Sequence, residues 1–337
     1  MFSFHNTNAF AIDLGTNNTL VYQPKKGIIL DEPTSIAFDK RREIFFDFGT
    51  AAHKMTGKNP KHTEVMQPLS KGAIANLQVA KAYIKWIICR ISNNSWFKPN
   101  IVVSVPSDLN QMERNAVIEA GKEGGAREVF LIKDPFSAAL GSAHAIEKPE
   151  GILVLDIGAG VTEISLLSMG GIVMSHSLRI AGNDIDEAIV EYFKNTKRIL
   201  ISLQDAELLK KELGNLLDER IFTKRINVKN LITRMPESFE VDSSDVKRAI
   251  MSIADKIVAL THSVTSTLPP TFAHDIIEKG ILMTGGTSIL GGMDGYLSKH
   301  LNIDVHTVKD PLQNIILGAG RVLEEKRYFE LAGKIIQ

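Results

Sequence analysis

Two stretches of this chain repeat one pattern. Ala11-Ile12-Asp13-Leu14-Gly15-Thr16-Asn17-Asn18-Thr19-Leu20-Val21 and Val154-Leu155-Asp156-Ile157-Gly158-Ala159-Gly160-Val161-Thr162-Glu163-Ile164 each run from an apolar strand through Asp-apolar-Gly and a small-residue turn into a second apolar strand. A turn of this composition presents successive backbone N–H groups, and such a nest binds phosphate. The Asp ahead of each turn suits a hydrated Mg2+, which prefers carboxylate, water and phosphate oxygens. Two such hairpins facing each other would clamp one nucleotide between two halves of a protein. The pattern therefore predicts a ligand and a two-lobed architecture together. A single copy is equally a plain structural turn. The second copy, with a third Gly-rich turn at Thr284-Gly285-Gly286-Thr287-Ser288, moves the reading to a clamp. In the third turn a flat base can lie close to backbone, because glycine has no side chain in the way.

The chain's 337 residues leave room for two domains. A 44% hydrophobic content supports substantial cores. Lys plus Arg number 39 and Asp plus Glu 39; this zero balance speaks against a broad nucleic-acid surface, so no nucleic-acid partner is expected. Cys89 is the sole cysteine, which excludes an intrachain disulfide and fits a reducing compartment. Its apolar helical surroundings read as core. Met1 to Asn8 lack a basic n-region and a long apolar h-region, and no apolar run reaches membrane-spanning length. The expected location is cytoplasmic, with peripheral membrane contact open.

The fold class expected is α/β. Leu77, Ala80, Ile84, Ile87, Ile88 and Ile91 recur at helical spacing. The strand Ile101-Val102-Val103-Ser104-Val105 ends at Pro106, and Ser107 reads as the N-cap of a helix carrying Met112, Ala116, Val117 and Ala120. Gly124-Gly125 can end that helix. Asp134-Pro135 after Val129-Phe130-Leu131-Ile132 reads as Asp N-cap and first-turn Pro. Residues 183 to about 245 read as a mostly helical, charged insertion, and a helix follows from Asp245 to about Thr267.

Further segments carry a resemblance to a known family. They are Pro68-Leu69-Ser70-Lys71-Gly72-Ala73-Ile74-Ala75, Pro99-Asn100-Ile101-Val102-Val103-Ser104-Val105-Pro106-Ser107, Asp134-Pro135-Phe136-Ser137-Ala138-Ala139, Arg179-Ile180-Ala181-Gly182-Asn183-Asp184-Ile185-Asp186-Glu187-Ala188-Ile189, and Asp275-Ile276-Ile277-Glu278-Lys279-Gly280. With the first hairpin, and with Pro311-Leu312 and Gly318-Ala319-Gly320 near the end, they resemble the MreB family of bacterial actins, within the actin, sugar-kinase and heat-shock ATPase superfamily. The likeness runs from about residue 9 to about 325. It implies an actin-like fold of two lobes with the nucleotide in the cleft between them. The first lobe would span 1–149, with an insert at about 32–75 and the C-terminal 312–337 returning to it. The second would span 150–311, with an insert at about 183–243.

The resemblance also implies roles. Gly15, Thr16 and Asn17 match the first phosphate loop, and Gly158, Ala159 and Gly160 the second. Asp13 and Asp156 match the carboxylates that hold Mg2+ beside ATP or ADP. Glu207 and Lys210 match positions bordering ribose and adenine; alone, their i, i+3 spacing on a charged helix reads as a solvated face. Gly285, Gly286 and Thr287 match the adenosine turn. Asp134 stands where the family has a water-orienting Glu. Several departures bear on hydrolysis. Asp134 is shorter than Glu by one carbon, about 1.5 Å, and a misplacement of about 1 Å can cost on the order of a hundredfold in rate. Val161 replaces a Thr hydroxyl, and Ala159 and Thr287 each replace a Gly. The implied activity is a slow or impaired ATPase.

Ser95-Trp96-Phe97-Lys98 places two aromatics in a polar connection. Either one ring folds onto the core, or Trp96 and Phe97 enter a bilayer interface beside Lys98. The family carries an apolar membrane loop in this region. The implied function is a nucleotide-dependent homopolymer filament on the inner membrane face that maintains cell shape by guiding the peptidoglycan-synthesis machinery. Two alternatives stand beside it: a nucleotide-binding paralogue that joins the filaments of another chain, and a small-molecule kinase, for which no sugar signature is found.

Overall fold

The structure, a computed structural model of the chain, describes residues 8–92 and 98–335. The first half opens with strands β1 (Ala9–Leu14), β2 (Asn18–Gln23) and β3 (Gly27–Pro33). Then come β4 (Ile36–Asp39), β5 (Ile44–Phe48), the one-turn helix α1 (Thr50–His53), β6 (Thr63–Met66), and the small hairpin β7 (Leu69–Ser70) and β8 (Ala73–Ile74). It continues through α2 (Leu77–Ile91), β9 (Asn100–Val105), α3 (Gln111–Gly124), β10 (Glu128–Lys133) and α4 (Asp134–Gly141). Strand β1 pairs antiparallel with β2 and parallel with β9, so the sheet reads β10-β9-β1-β2-β3.

The second half repeats this plan. Strands β11 (Ile152–Ile157), β12 (Thr162–Ser168) and β13 (Gly171–Leu178) lead into α5 (Gly182–Tyr192), β14 (Ile199–Leu200) and α6 (Leu203–Leu213). The hairpin β15 (Thr223–Asn230) and β16 (Pro236–Asp242) precedes α7 (Ser243–Thr265), α8 (Ala273–Lys279), β17 (Ile281–Thr284), α9 (Met293–Leu301) and β18 (Val305–Thr307). Their sheet reads β18-β17-β11-β12-β13. It is the same arrangement, with the Asp-bearing strand in the centre, its hairpin partner on one side and a parallel strand on the other. Helices α10 (Asn314–Glu324) and α11 (Lys326–Ile335) close the chain.

Central strands buried on both faces read as continuous apolar runs, as Ile152-Leu153-Val154-Leu155 does. Each sheet has its own core against its helices. Phe10, Ile12, Tyr83, Ile84 and Ile101 belong to the first, and Leu155, Ile185, Leu209, Ile250 and Met283 to the second. A third core joins the halves: Ala11 and Val102 of one sheet meet Val154 and Leu167 of the other through Phe136, Leu140, Ile316 and Ala319 of α4 and α10. The chain crosses between halves beside this core, after α4 and before α10.

Four local expectations need correction. Asn110, not Ser107, caps α3: its side chain accepts from Glu113 N at 3.0 Å while Glu113 reaches back to Asn110 N at 2.9 Å. This reciprocal box satisfies two orphan donors, where a lone Ser satisfies one. Asp134 does not cap α4. Strand β10 runs through Lys133 directly into the helix, leaving Asp134 inside the first turn. Cys89 is exposed rather than core, because the buried stripe of α2 falls on Val79, Ala80, Tyr83, Ile84, Ile87 and Ile88. The 183–245 segment is not mostly helical. Ile226, Val228 and Val241 alternate inward along β15 and β16, a period-2 pattern hidden among charges.

Helices α4 and α10 approach through glycine. A Cβ on Gly318 would overlap the Ser137 carbonyl oxygen, and one on Gly141 would overlap Asn314 O. Gly318→Ala should therefore lower stability by about 3 kcal/mol. Gly333→Ala, at an open site on α11, should raise it by about 0.5 kcal/mol through helix propensity. Urea unfolding curves of the two variants check this contrast.

Candidate functional site

Asp13 and Asp156 occupy equivalent places, each one residue from the end of its central strand. Asp13 lies opposite Leu20 on β2 and beside Ser104 on β9; Asp156 lies opposite Glu163 on β12 and beside Thr284 on β17. Both turns close identically, Gly15 N donating to Asn18 O at 3.1 Å and Gly158 N to Val161 O at 2.9 Å. The turns face each other. A Cβ on Gly160 would come within 2.7 Å of Thr16 Oγ1 and 3.0 Å of Lys71 Cα, so glycine is required by the close approach. Asn17 reaches across to Asn183 at the start of α5, at 2.8 Å.

The third turn locks onto the second. Gly285, at φ +88, lies so close to Asp156 that a Cβ would overlap its carboxylate. Thr287 Oγ1 donates to Gly158 O at 2.7 Å, so a hydroxyl in place of a glycine gains a defined partner. Gly286 opens the short 3-10 turn Gly286–Ile289. Lys210 Nζ donates to Gly182 O at 3.0 Å and to Asp186 Oδ2 at 2.8 Å. Its side chain is only 13% exposed, which corrects the solvated-face reading. Glu207 fits that reading better, pairing at 2.7 Å with Lys211 one turn on.

The floor of the cleft gathers four carboxyl groups. Burial pushes Asp13 up to about 7. Burial, then the charges of Glu163 and Asp13, pushes Asp156 up to about 8. Asp134 is raised well above the usual carboxylate range by burial and by Asp13, Glu163, Asp156 and Asp108. Glu163 is raised by burial, which outweighs the Ser107 and Ser175 hydrogen bonds that favour its charged form. The Oδ1 atoms of Asp134 and Asp156 are buried without a hydrogen-bond partner. Among the described residues no ion pair reaches any of the four. Unpartnered buried acceptors call for donors, and the water shell of a hydrated divalent cation supplies both donors and positive charge. Among the described residues no three His, Cys, Asp or Glu converge to ligate an ion directly, so contact through water is the arrangement that fits.

Comparison with known proteins places this geometry. The model of the MreB/Mbl protein family matches residues 7–330. The chain belongs to the MreB/Mbl family. It is 36% identical to the cell shape-determining protein MreB of Pasteurella multocida over 327 residues, covering 94% of this chain and 93% of that one. It is 34% identical to the cell shape-determining protein Mbl of Bacillus cereus over 315 residues, covering 93% and 95%. Among solved structures it superposes on MreB 5 of Spiroplasma citri bound to AMPPNP with a TM-score of 0.90 at 29% identity, over 97% of this chain and 98% of that one. A double-helical filament of MamK gives a TM-score of 0.80 at 19% identity, over 94% and 99%. The fold is actin-like.

In this MreB/Mbl chain the cleft brings together Asp13, Gly15, Thr16, Asn17, Asp156, Gly158, Ala159, Gly160, Gly285 and Thr287. Trp96 and Phe97 lie outside the described residues. Two residues escaped the sequence reading. Glu163, 2% exposed, accepts from Ser107 Oγ and, at 2.8 Å, from Ser175 Oγ, tying the first half's β9–α3 loop to the second half's sheet. An ionisable residue in the otherwise uncharged, fully buried β12 is the signal that could have found it. Asn183 is the other, and nothing local distinguishes it.

The raised carboxyls set a pH dependence. They titrate near 3.8 unfolded and higher when folded, so between these values the folded chain binds more protons. Ligand-free stability should therefore fall as pH rises through about 5 to 8. Asp156→Asn should flatten the fall and add on the order of 2 kcal/mol near pH 8. Thermal melts in a chelating buffer check both; a profile in which stability rises over this range overturns the assignment.

Proposed function

We propose that this chain is an ATP-binding, actin-like cytoskeletal protein. It forms membrane-associated filaments that maintain cell shape by organising peptidoglycan synthesis. The carrying observation is the meeting of two Asp-apolar-Gly hairpins across one cleft, each hung on the same strand of a duplicated sheet. The relatives support it by what they are: cell shape-determining proteins in Pasteurella multocida and Bacillus cereus, an MreB 5 solved with AMPPNP and with ADP, and a MamK filament.

In this reading the lobes 1–149 (with 312–337) and 150–311 close on one nucleotide. The backbones of Gly15, Thr16, Asn17, Gly158, Ala159 and Gly160 take the phosphates, and Gly285, Gly286 and Thr287 take the adenosine. Glu207 borders the ribose, and Lys210 acts through α5, to which it is bound. Asp13 and Asp156 hold the water shell of Mg2+. When bound, that cation offsets the charge of the phosphates. A ligand touching both lobes biases their closure, and a head-to-tail interface that does not close into a ring yields a filament. The partners are further copies of the chain or paralogues, the inner membrane face through Trp96 and Phe97, and the wall-synthesis machinery.

Turnover is slow in this account. Asp134 is one carbon short of the family's Glu, and burial and its acidic neighbours raise its carboxyl well above the usual carboxylate range. Val161 presents a methyl, rather than a hydroxyl, in the space that a Cβ on Gly72 would need. These two features favour a second reading, a nucleotide-binding paralogue that joins filaments of a more active chain.

Electron microscopy with ATP, with and without lipid, tests filament formation. Filaments that appear only when a more active relative is added select the second reading. Phosphate release should be slow, and Asp134→Glu with Val161→Thr should raise it about a hundredfold; wild-type turnover matching an ordinary relative defeats the slow-ATPase account. Trp96→Ser with Phe97→Ser should abolish most liposome co-sedimentation, and unchanged sedimentation refutes the membrane role.

A further inference from the structure

The mouth of the cleft is bridged by uncharged groups. Asn17 Nδ2 donates to Asn183 Oδ1 at 2.8 Å, and Asn183 Nδ2 returns to Asn17 Oδ1 at 3.2 Å. Gln67 Nε2 is a second donor to Asn17 Oδ1, at 3.3 Å. Both asparagines are half-buried, so the paired amides are partly withdrawn from competing water.

Each amide stands on a fixed base. The Asn17 carbonyl accepts from Thr34 N at 2.8 Å, within the turn closed by Gly15 and Asn18. Asn183 N donates to Ala159 O at 2.8 Å, beside the Gly182 N bond to Gly158 O at 3.2 Å. The pair therefore connects the two phosphate turns through two short, hydrogen-bonded anchors. The neighbouring Lys71–Asp184 contact has a different character: it is charged, 3.8 Å long, and 55% exposed on the lysine side. Salt screens such a pair, whereas an amide pair carries no net charge to screen.

We propose that Asn17 and Asn183 form an interlobe latch that holds the cleft closed whether or not a nucleotide is present. Asn183 is thus a positioning residue, acting through Asn17 to keep the two phosphate turns in register and to slow nucleotide escape. The effect on nucleotide rests on the nucleotide reading of the cleft; the closure itself does not. Opening the lobes breaks two reciprocal hydrogen bonds, and their net worth corresponds to about a tenfold change in escape rate. The latch joins the two turns to each other, so it is expected to slow release of ADP and of a triphosphate analogue alike.

The test is a double-mutant cycle on release of fluorescent ADP and AMPPNP from Asn17→Ala, Asn183→Ala and the double variant. Each single change should release both nucleotides about tenfold faster, and the double variant should be no faster than either single. Asn183→Asp keeps the acceptor and loses the donor, so it should give about a threefold effect. Lys71→Ala should change release less than about twofold and only at low salt. Single effects that simply add, or an Asn183→Ala rate equal to wild type, overturn the latch. A second readout needs no nucleotide. Labels on the exposed Cys89 of the first half and on Ser263→Cys, an exposed position of α7 in the second, report the interlobe distance. Wild type should keep the same distance with and without nucleotide, and Asn183→Ala should lengthen and broaden it when empty. Identical empty-state distances in the two proteins overturn the proposal. A wild type that binds no nucleotide but still closes through Asn183 defeats the nucleotide reading and leaves the latch standing.

Discussion

The cleft is organised around negative charge that the described residues do not neutralise. Asp13, Asp134, Asp156 and Glu163 share one floor, and their raised proton affinities measure the cost of holding charge there. Isolated buried carboxylates are expensive enough that they take up protons instead. A site that keeps four together, with no cation paired to them among the described residues, is incomplete by itself. The two Asp carboxylates raised to about 7 and about 8 sit at the edge of ionisation near neutral pH. A bound cation would draw them to the charged side, so ligand binding and proton release are linked at this floor.

What holds that floor in shape is the duplication. Each half offers an Asp one residue from the end of a central strand, flanked by a hairpin partner and a parallel strand. Strand pairing fixes where the carboxylates point, because a slip of one residue would turn them to the opposite face. The halves then share a core through α4 and α10, which approach closely enough to exclude any side chain at Gly141 and Gly318. A close helix crossing at the base and a hydrogen-bonded mouth at Asn17 and Asn183 tie the two halves at both ends of the cleft.

Much of this was legible in the chain. The paired hairpins were, because Asp-apolar-Gly between apolar runs marks strand, turn and strand at once. The helix Leu77–Ile91 was, because its apolar positions keep a single stripe. Asp134 was misread for an instructive reason: Asp-Pro is a genuine start signal, but capping needs a residue outside the helix, and β10 leaves no residue between strand and helix. The β15–β16 hairpin stayed hidden because only one of its faces is buried and the other is filled with charges that also suit helices. Glu163 and Asn183 draw their importance from partners 56 and 166 residues away. No local pattern encodes such pairings.

The departures from the family pattern fall unevenly across the cleft, and their partners show why. The second turn is pinned by Gly182 N and Thr287 Oγ1 on the Gly158 carbonyl and by Asn183 N on that of Ala159. Thr287 and Ala159 thus add contacts or bulk to a turn already held from several sides. The first turn is held as well, through the Thr34 N bond, the 3.4 Å contact from Gly72 N to Thr16 Oγ1, the amide bridge and Gln67. Val161 packs at the Gly72 corner, its Cγ2 methyl 2.6 Å from where a Cβ on Gly72 would fall. A hydroxyl there could follow a phosphate, whereas a methyl can only fill space.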